Sequence, residues 1–252
     1  REPHAAGRDN DGMSYALQLL PVVLPILFWG IYHYHKDRHL PEPVSSLVLA
    51  FGLGLVSAAI SRALYTALGW ASLRYDAFAL ADGNTLGLLA YSMLAIGPIE
   101  ELAKMLPFLA LVLWHRELDE PIDGIIYASF VALGYAAVEN LIYLDFLAPH
   151  EAAARGFAGP VVHILFASIW GFTIGCARIR GDSILRAMAG GFLLAAGLHG
   201  LYDFIVLQQT LNALPIAALL IVGGWIWRLR LIRRLQESAV RGPGKASRDC
   251  MD

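Results

Sequence analysis

Charge is scarce in this chain. Only 16% of its 252 residues are charged while 57% are hydrophobic, whereas soluble domains run near a quarter and just under a half. That shortage excludes an ordinary soluble domain. With a net charge of -2 and no basic cluster before the arginine run that begins at Arg228, it also argues against a nucleic-acid partner. Cysteine is nearly absent: Cys176 and Cys250 cannot make a disulfide framework or a metal-binding pair, and both read as bystanders. Residues 1–12 are polar and carry no signal-peptide pattern.

What fills the chain instead is a succession of apolar runs, with a mean hydropathy of +0.55. A stretch of about 20 apolar residues spans the roughly 30 Å hydrocarbon core. Such stretches fall at about 13–32, 44–69, 85–114, 122–147, 161–177, 184–207 and 211–227. The expected fold is all-α, a polytopic transmembrane helical bundle of about seven spans. A flexible segment (1–12) precedes one bundle domain (13–235), and a flexible tail (236–252) follows it. Pro21 and Pro25 are expected to kink the first span. The histidines at His33 and His35 read as a solvated interfacial loop, because nothing nearby completes a ligand set. Gly52, Gly54, Ser57, Ala58 and Ser61 give the second span a closely packed face, and Gly171 and Gly175 do the same for the fifth. Arg62 reads as snorkelling to the interface.

With seven spans, thirteen of the 19 Lys and Arg lie in the loops after spans one, three and five and in the C-terminal tail, against Arg1, Arg8, Arg74 and Arg155 opposite. The positive-inside rule then puts the N-terminus outside and the C-terminus in the cytoplasm.

Against this apolar background stands Gly97-Pro98-Ile99-Glu100-Glu101-Leu102-Ala103-Lys104. A charge at mid-bilayer costs at least about 2.5–3.5 kcal/mol. On a helix Lys104 lies one turn from either glutamate, yet cannot neutralise both. One carboxylate therefore needs a proton, a metal, water or a polar group from another helix. Pro98 is expected to open the backbone just before the pair. Further along come Glu139-Asn140 with Tyr143 one turn on, His163 near the start of the fifth span, and His199 with Asp203 one turn later in the sixth. The predicted orientation brings Glu139, His163, His199 and Asp203 to the outer half of the membrane, within reach of Glu100 and Glu101.

His199 and Asp203 have the spacing by which one helix offers two ligands to a metal, and His163 or Glu139 could add a third. A divalent ion, zinc by this donor set, would activate a water whose proton a glutamate of the third span takes. The same residues allow a metal-free version, with Glu100 as base and the histidines binding a developing oxyanion. Each part has a plainer reading as well. His163 suits an interface, Glu–Lys an ion pair, His199–Asp203 a buried hydrogen bond, and Asn140 and Tyr143 contacts between helices. Together they weigh towards function, since membrane spans seldom carry so many ionisable groups without one. A proton-coupled transporter would use similar residues, but no internal repeat or matched broken helices appear. A membrane lipid amide or ester hydrolase and a non-enzymatic scaffold are further alternatives.

Glu100-Glu101-x-x-Lys104, Asp123-Gly124-Ile-Ile-Tyr127 running to Gly134-Tyr-Ala-Ala-Val-Glu139-Asn140-Leu-Ile-Tyr143, Pro160-Val-Val-His163 and Leu198-His199-Gly200-Leu-Tyr202-Asp203-Phe204 follow one another on successive spans. In this order, over about 96–204, they resemble the PrsW family of intramembrane proteases, usually classed as metalloproteases. The resemblance implies that Glu100, Glu101 and His163 are essential, that Lys104, Glu139, Asn140 and Tyr143 support them, and that His199 and Asp203 share the site. It also implies a bacterial cytoplasmic membrane and a single-span substrate such as an anti-sigma factor, cut on its extracytoplasmic side. CAAX-processing and bacteriocin-processing endopeptidases are more distantly similar. They usually have Arg at the position of Lys104, His in place of Glu139-Asn140, and Asn at that of Asp203. Those departures count against prenyl-protein processing.

Overall fold

A computed structural model describes residues 8–36, 41–114, 118–208, 210, 213–240 and 250. Among them there is helix and no strand: α1 (Arg8–Lys36), α2 (Val44–Trp70), α3 (Ala77–Gly83), α4 (Thr85–Tyr91), a π-helical turn (Ser92–Ile96), α5 (Gly97–Trp114), α6 (Pro121–Tyr143), α7 (Pro149–Arg180), α8 (Ile184–Leu207) and α9 (Ala213–Val240). The long rods number seven when α4, the π turn and α5 are taken as one. Among the described residues five helices, α2 and α6 to α9, are long and apolar enough to cross a membrane. Large apolar side chains such as Leu24, Ile31, Val48, Leu193 and Leu219 face outwards, as a bilayer solvent requires. Arg38, Arg116, Arg241, Lys245 and Arg248, counted above for orientation, lie outside the described residues.

α6 and α7 form the centre, with α2 and α1 against α6 and with α8 and α5 closing the other side. Their contact depends on missing side chains. A Cβ on Gly124 would meet the carbonyl of Gly171 at 2.3 Å, so α6 and α7 touch backbone to backbone. The same contact sets α8 on the π turn: a Cβ on Gly200 would lie 2.4 Å from the Ser92 carbonyl. At the start of α6, the Asp123 carboxylate reaches back, as in a capping box, to accept from the backbone N–H of Glu120 (2.6 Å) and of Asp119 (3.0 Å), just before the helix. Tyr127 on this helix donates its hydroxyl to Glu42. Thus Asp123, Gly124 and Tyr127 act as cap, contact and tie.

Four local features depart from the reading of the sequence. α7 begins at Pro149 and runs through Pro160, so His163 sits in mid-helix and Arg155 belongs to the helix, not to a loop. His33 is inside α1 and buried, its Nδ1–H donating to the Trp29 carbonyl at 2.6 Å, because the helix continues to Lys36. Arg228 heads the arginine run but does not lie at the surface. It is fully buried and donates to Ser168 (2.7 Å) and Ser129 (2.8 Å), tying α9 to α7 and α6. The cysteines gain a partner that the sequence did not indicate: Cys176, near the end of α7, is disulfide-bonded to Cys250.

Candidate active site

The long third span is helical throughout, but its hydrogen-bond register changes at Ser92–Ile96, directly before Gly97 and Pro98. Proline lacks the N–H that would return to the preceding turn, and a π turn absorbs that loss; such turns concentrate at functional sites. Glu100 and Glu101 follow, turned about 100° from one another. Their surroundings differ accordingly.

Glu101 is heavily hydrogen-bonded. It accepts from Lys104 Nζ at 2.6 Å and His199 Nδ1 at 2.6 Å on one oxygen, and from Trp170 Nε1 at 2.8 Å on the other. Both Glu101 and Lys104 are fully buried. Three helices thus converge on one carboxylate, and the low-dielectric setting makes each of these bonds strong. Glu100 has one hydrogen bond, from the Tyr65 hydroxyl at 3.4 Å, and its other oxygen lies 3.7 Å from His199 Nε2. Lys104 therefore chooses Glu101, and Glu100 is the carboxylate left with open lone pairs.

The hydrogen bonds also fix the rings. An ammonium only donates, so Lys104 Nζ, 3.1 Å from His163 Nδ1, leaves that nitrogen as acceptor, and His163 Nε2–H donates to Glu139 at 2.6 Å. His199 commits Nδ1–H to Glu101. Its Nε2 faces Glu100 at 3.7 Å and Asp203 at 3.5 Å. Phe166 stacks on the His199 ring, the two centroids 5.0 Å apart, and Tyr135 meets the edge of His163 at 5.2 Å. Tyr135 also carries Lys104 over its face and shares a hydrogen bond with Ser61 of α2.

Of the residues singled out in the sequence, Glu100, Glu101, Lys104, His163, His199, Asp203 and Glu139 meet in one cluster. Glu139 joins it through His163. Asn140 does not: it is turned to the α6–α7 contact, where its amide donates to the Gly156 carbonyl at 3.3 Å. Tyr143 lies outside the cluster, beneath the guanidinium of Arg155 at 3.6 Å. Trp170, Tyr65, Tyr135 and Arg155 were not singled out. Trp170 had a readable signal, since it stands seven residues after His163 and so on the same face of α7. Tyr65 carried none, being an ordinary aromatic residue of an apolar span, and Tyr135 stood inside the Gly134–Glu139 motif without a role of its own.

The cluster opens at one end. The side chains of Arg155, Asp203 and Glu139 keep 32%, 21% and 18% of their surface exposed, while those of Glu101, Lys104 and His199 are sealed. This mouth lies where α6 and α8 end and α7 begins. Its donors suit a cation. Glu100, His163 and His199 bring ligand atoms within 4.8 Å of one another. The separations of His199 Nε2 from Asp203 and Glu100 are close to the roughly 3.4 Å edge that bonds of about 2.1 Å make at a tetrahedral angle. Glu101, holding the opposite nitrogen of His199, is the partner that metal-binding imidazoles ordinarily have.

A carboxylate with open lone pairs thus stands beside an imidazole nitrogen without a hydrogen bond, just inside the exposed end of the cluster. Comparison with known proteins supplies a family. Residues 42–227 match the family described as PrsW family intramembrane metalloprotease. The chain is 31% identical to the Protease PrsW of Geobacillus kaustophilus over 71% of its own length and 74% of that protein's. It is 29% identical to that of Oceanobacillus iheyensis, over 86% and 95%, and 30% identical to that of Bacillus subtilis, over 69% and 76%. No solved structure matches it. The chain belongs to the PrsW family of intramembrane metalloproteases.

Proposed function

We propose that this protease hydrolyses a peptide bond in a single-span membrane protein, of the anti-sigma-factor kind, near the extracytoplasmic surface, with Glu100 as the base that takes the proton of the attacking water. The observation that carries this reading is the inequality of the two glutamates. Glu101 accepts three short hydrogen bonds, from Lys104, His199 and Trp170, whereas Glu100 meets only one long hydrogen bond from Tyr65.

The chain's own residues divide the work. Glu101 holds His199 in the tautomer that presents Nε2 to Glu100 and Asp203. Lys104 and Glu139 hold His163 from its two sides. The ammonium of Lys104 brings positive charge to the buried end of the site, where an oxygen gaining negative charge in the transition state is stabilised. A peptide enters with its backbone extended at the mouth, because helical carbonyls are already hydrogen-bonded. The distribution of Lys and Arg supports a mouth on the extracytoplasmic side, with the C-terminus in the cytoplasm.

His199 and Asp203 would hold a divalent ion, with His163 the third donor, and imidazole with carboxylate suits zinc. A bound ion would supply Lewis acidity, bringing the pKa of a water towards neutrality. One observation favours a metal-independent version: both nitrogens of His163 are already hydrogen-bonded, so it can join a metal only by releasing Lys104 or Glu139.

The test is cleavage of a single-span reporter by the purified protein in vesicles, with metal content measured alongside. Glu100→Gln should abolish cleavage in a folded protein, and His199→Ala/Asp203→Ala should lose zinc and cleavage together. Cleavage by Glu100→Gln at the wild-type rate would remove the base. Full activity in metal-free, chelator-treated enzyme would remove the ion, and a cut on the cytoplasmic side of the reporter would reverse the orientation.

A further inference from the structure

We propose that Arg155 is a positioning residue of the active site: it clamps Glu139 so that this carboxylate is aimed at His163. The proposal rests on the proteolytic reading above for its kinetic consequence, though not for its geometry.

The clamp is built from two helices. Glu139 and Tyr143 are one turn apart on α6 and share a face. The guanidinium of Arg155, from the early part of α7, fits between them. Nη2 forms an ion pair with Glu139 Oε1 at 3.1 Å, and the group lies 3.6 Å above the Tyr143 ring. With Oε1 taken by Arg155, Glu139 Oε2 points to His163 Nε2 at 2.6 Å. The far side of His163 accepts from Lys104 at 3.1 Å, and Lys104 bonds Glu101 at 2.6 Å. A single line of polar contacts thus runs from Arg155 at the mouth to Glu101 at the sealed end.

The clamp is needed because a carboxylate is a loose support on its own. Glu139 is near the water, and unclamped its side chain can turn towards solvent and leave His163 without an acceptor for Nε2–H. Charge adds to the need. Glu139, Glu100 and Asp203 share one mouth, and they repel each other unless a cation stands among them. Lys104 serves the inner end, and Arg155 serves the outer. Stacking on Tyr143 fixes the plane of the guanidinium, which an ammonium at the same place would not share. Outer partners of this kind typically alter activity by about 10- to 100-fold when removed.

The experiment compares wild type, Arg155→Ala, Arg155→Lys, Glu139→Gln and the Arg155→Ala/Glu139→Gln pair. Two readouts are taken: kcat and KM on the single-span reporter, and the ring NMR signals of protein labelled at its eight histidines, with His163 assigned by its loss in His163→Asn. Arg155→Ala should lower kcat about 10- to 100-fold with KM little changed, and Arg155→Lys should recover part of it. The double variant should be no slower than Glu139→Gln alone, since both changes break one line. The hydrogen-bonded Nε2 proton of His163 should broaden or move upfield in Arg155→Ala. An unchanged kcat, additive effects in the double variant, or an unchanged His163 signal would overturn the proposal. If no variant, wild type included, cuts the reporter, the proteolytic reading fails separately, and the His163 signal alone decides whether Arg155 positions that ring.

Discussion

Replacing Glu101 by glutamine leaves the ammonium of Lys104 buried without its counter-charge. The pair is separated by 2.6 Å with neither side chain exposed. Breaking such a pair by removing one partner costs about 3–5 kcal/mol, because the surviving charge stays out of water. Glutamine keeps the shape and one acceptor oxygen, yet three donors from Lys104, His199 and Trp170 now compete for it. For a chain of this length the loss corresponds to a fall in Tm on the order of 10 °C. Glu100→Gln meets no such cost, since Glu100 has only the 3.4 Å contact from Tyr65 and lies near the open end. The assay is thermal unfolding of the two variants and wild type in the same detergent, with Glu101→Gln/Lys104→Met as a third variant. Removing both charges should restore much of the stability lost in Glu101→Gln. Equal destabilisation by Glu100→Gln and Glu101→Gln, or no recovery in the double variant, would refute the unequal roles given to these neighbours.

Trp170→Phe keeps most of the volume but deletes the indole N–H that Glu101 accepts at 2.8 Å; a hydrogen bond to a charged group is worth about 1.5–3 kcal/mol, so thermal unfolding should show that loss alongside reduced cleavage. Gly200→Ala should impair cleavage and stability by pushing α8 off the π turn, where the new Cβ would lie 2.4 Å from the Ser92 carbonyl, whereas Gly197→Ala, with nothing within 4 Å, should be tolerated. Overpacking of this kind costs about 1–3 kcal/mol, and equal behaviour of the two variants in a melting experiment would contradict the close approach. Cys176 and Cys250 test the proposed orientation, because a disulfide between them persists in an oxidising compartment and is kept reduced in the cytoplasm. Labelling of both cysteines by alkylation before lysis would support a cytoplasmic placement of that end, and a fully formed disulfide in growing cells would overturn it.

Much of the bundle was legible because its signals are one-dimensional. Apolar length gives a span, and small residues spaced by four, as at Gly171 and Gly175, give a helix contact. The membership of the site was legible for a related reason: ionisable residues in apolar spans stand out, and the motifs fall on successive helices. The wiring was not. That Lys104 pairs with Glu101 rather than Glu100 depends on which face of α5 meets Trp170 and His199, and one helical turn allows either choice. Arg155 was hidden by an error of helix length. Placed in a loop, it counted only as an outer positive charge; with α7 starting at Pro149 it faces Glu139. Arg228 was hidden by its neighbours in an arginine run, although it is buried against two serines that no sequence spacing connects to it.

A rotation of about 100° between consecutive residues is usually read as placing one side chain inside and the next outside. Here both glutamates are buried, and the rotation separates two kinds of burial instead. The face of Glu101 meets α7 and α8, which supply two donors, Trp170 and His199, beside Lys104 of α5 itself. The face of Glu100 meets α2, whose Tyr65 offers one distant hydroxyl, and the space beside His199 and Asp203. The first arrangement lowers the energy of a charge that never has to change. The second leaves a charge underserved, and that is what supports the role of base proposed for Glu100. Adjacent placement in the chain then has a mechanical consequence: any movement of α5 that disturbs Glu100 also pulls on Glu101, and through it on His199 and Lys104. The π turn and the Gly200 contact, both at the start of α5, hold that movement in check.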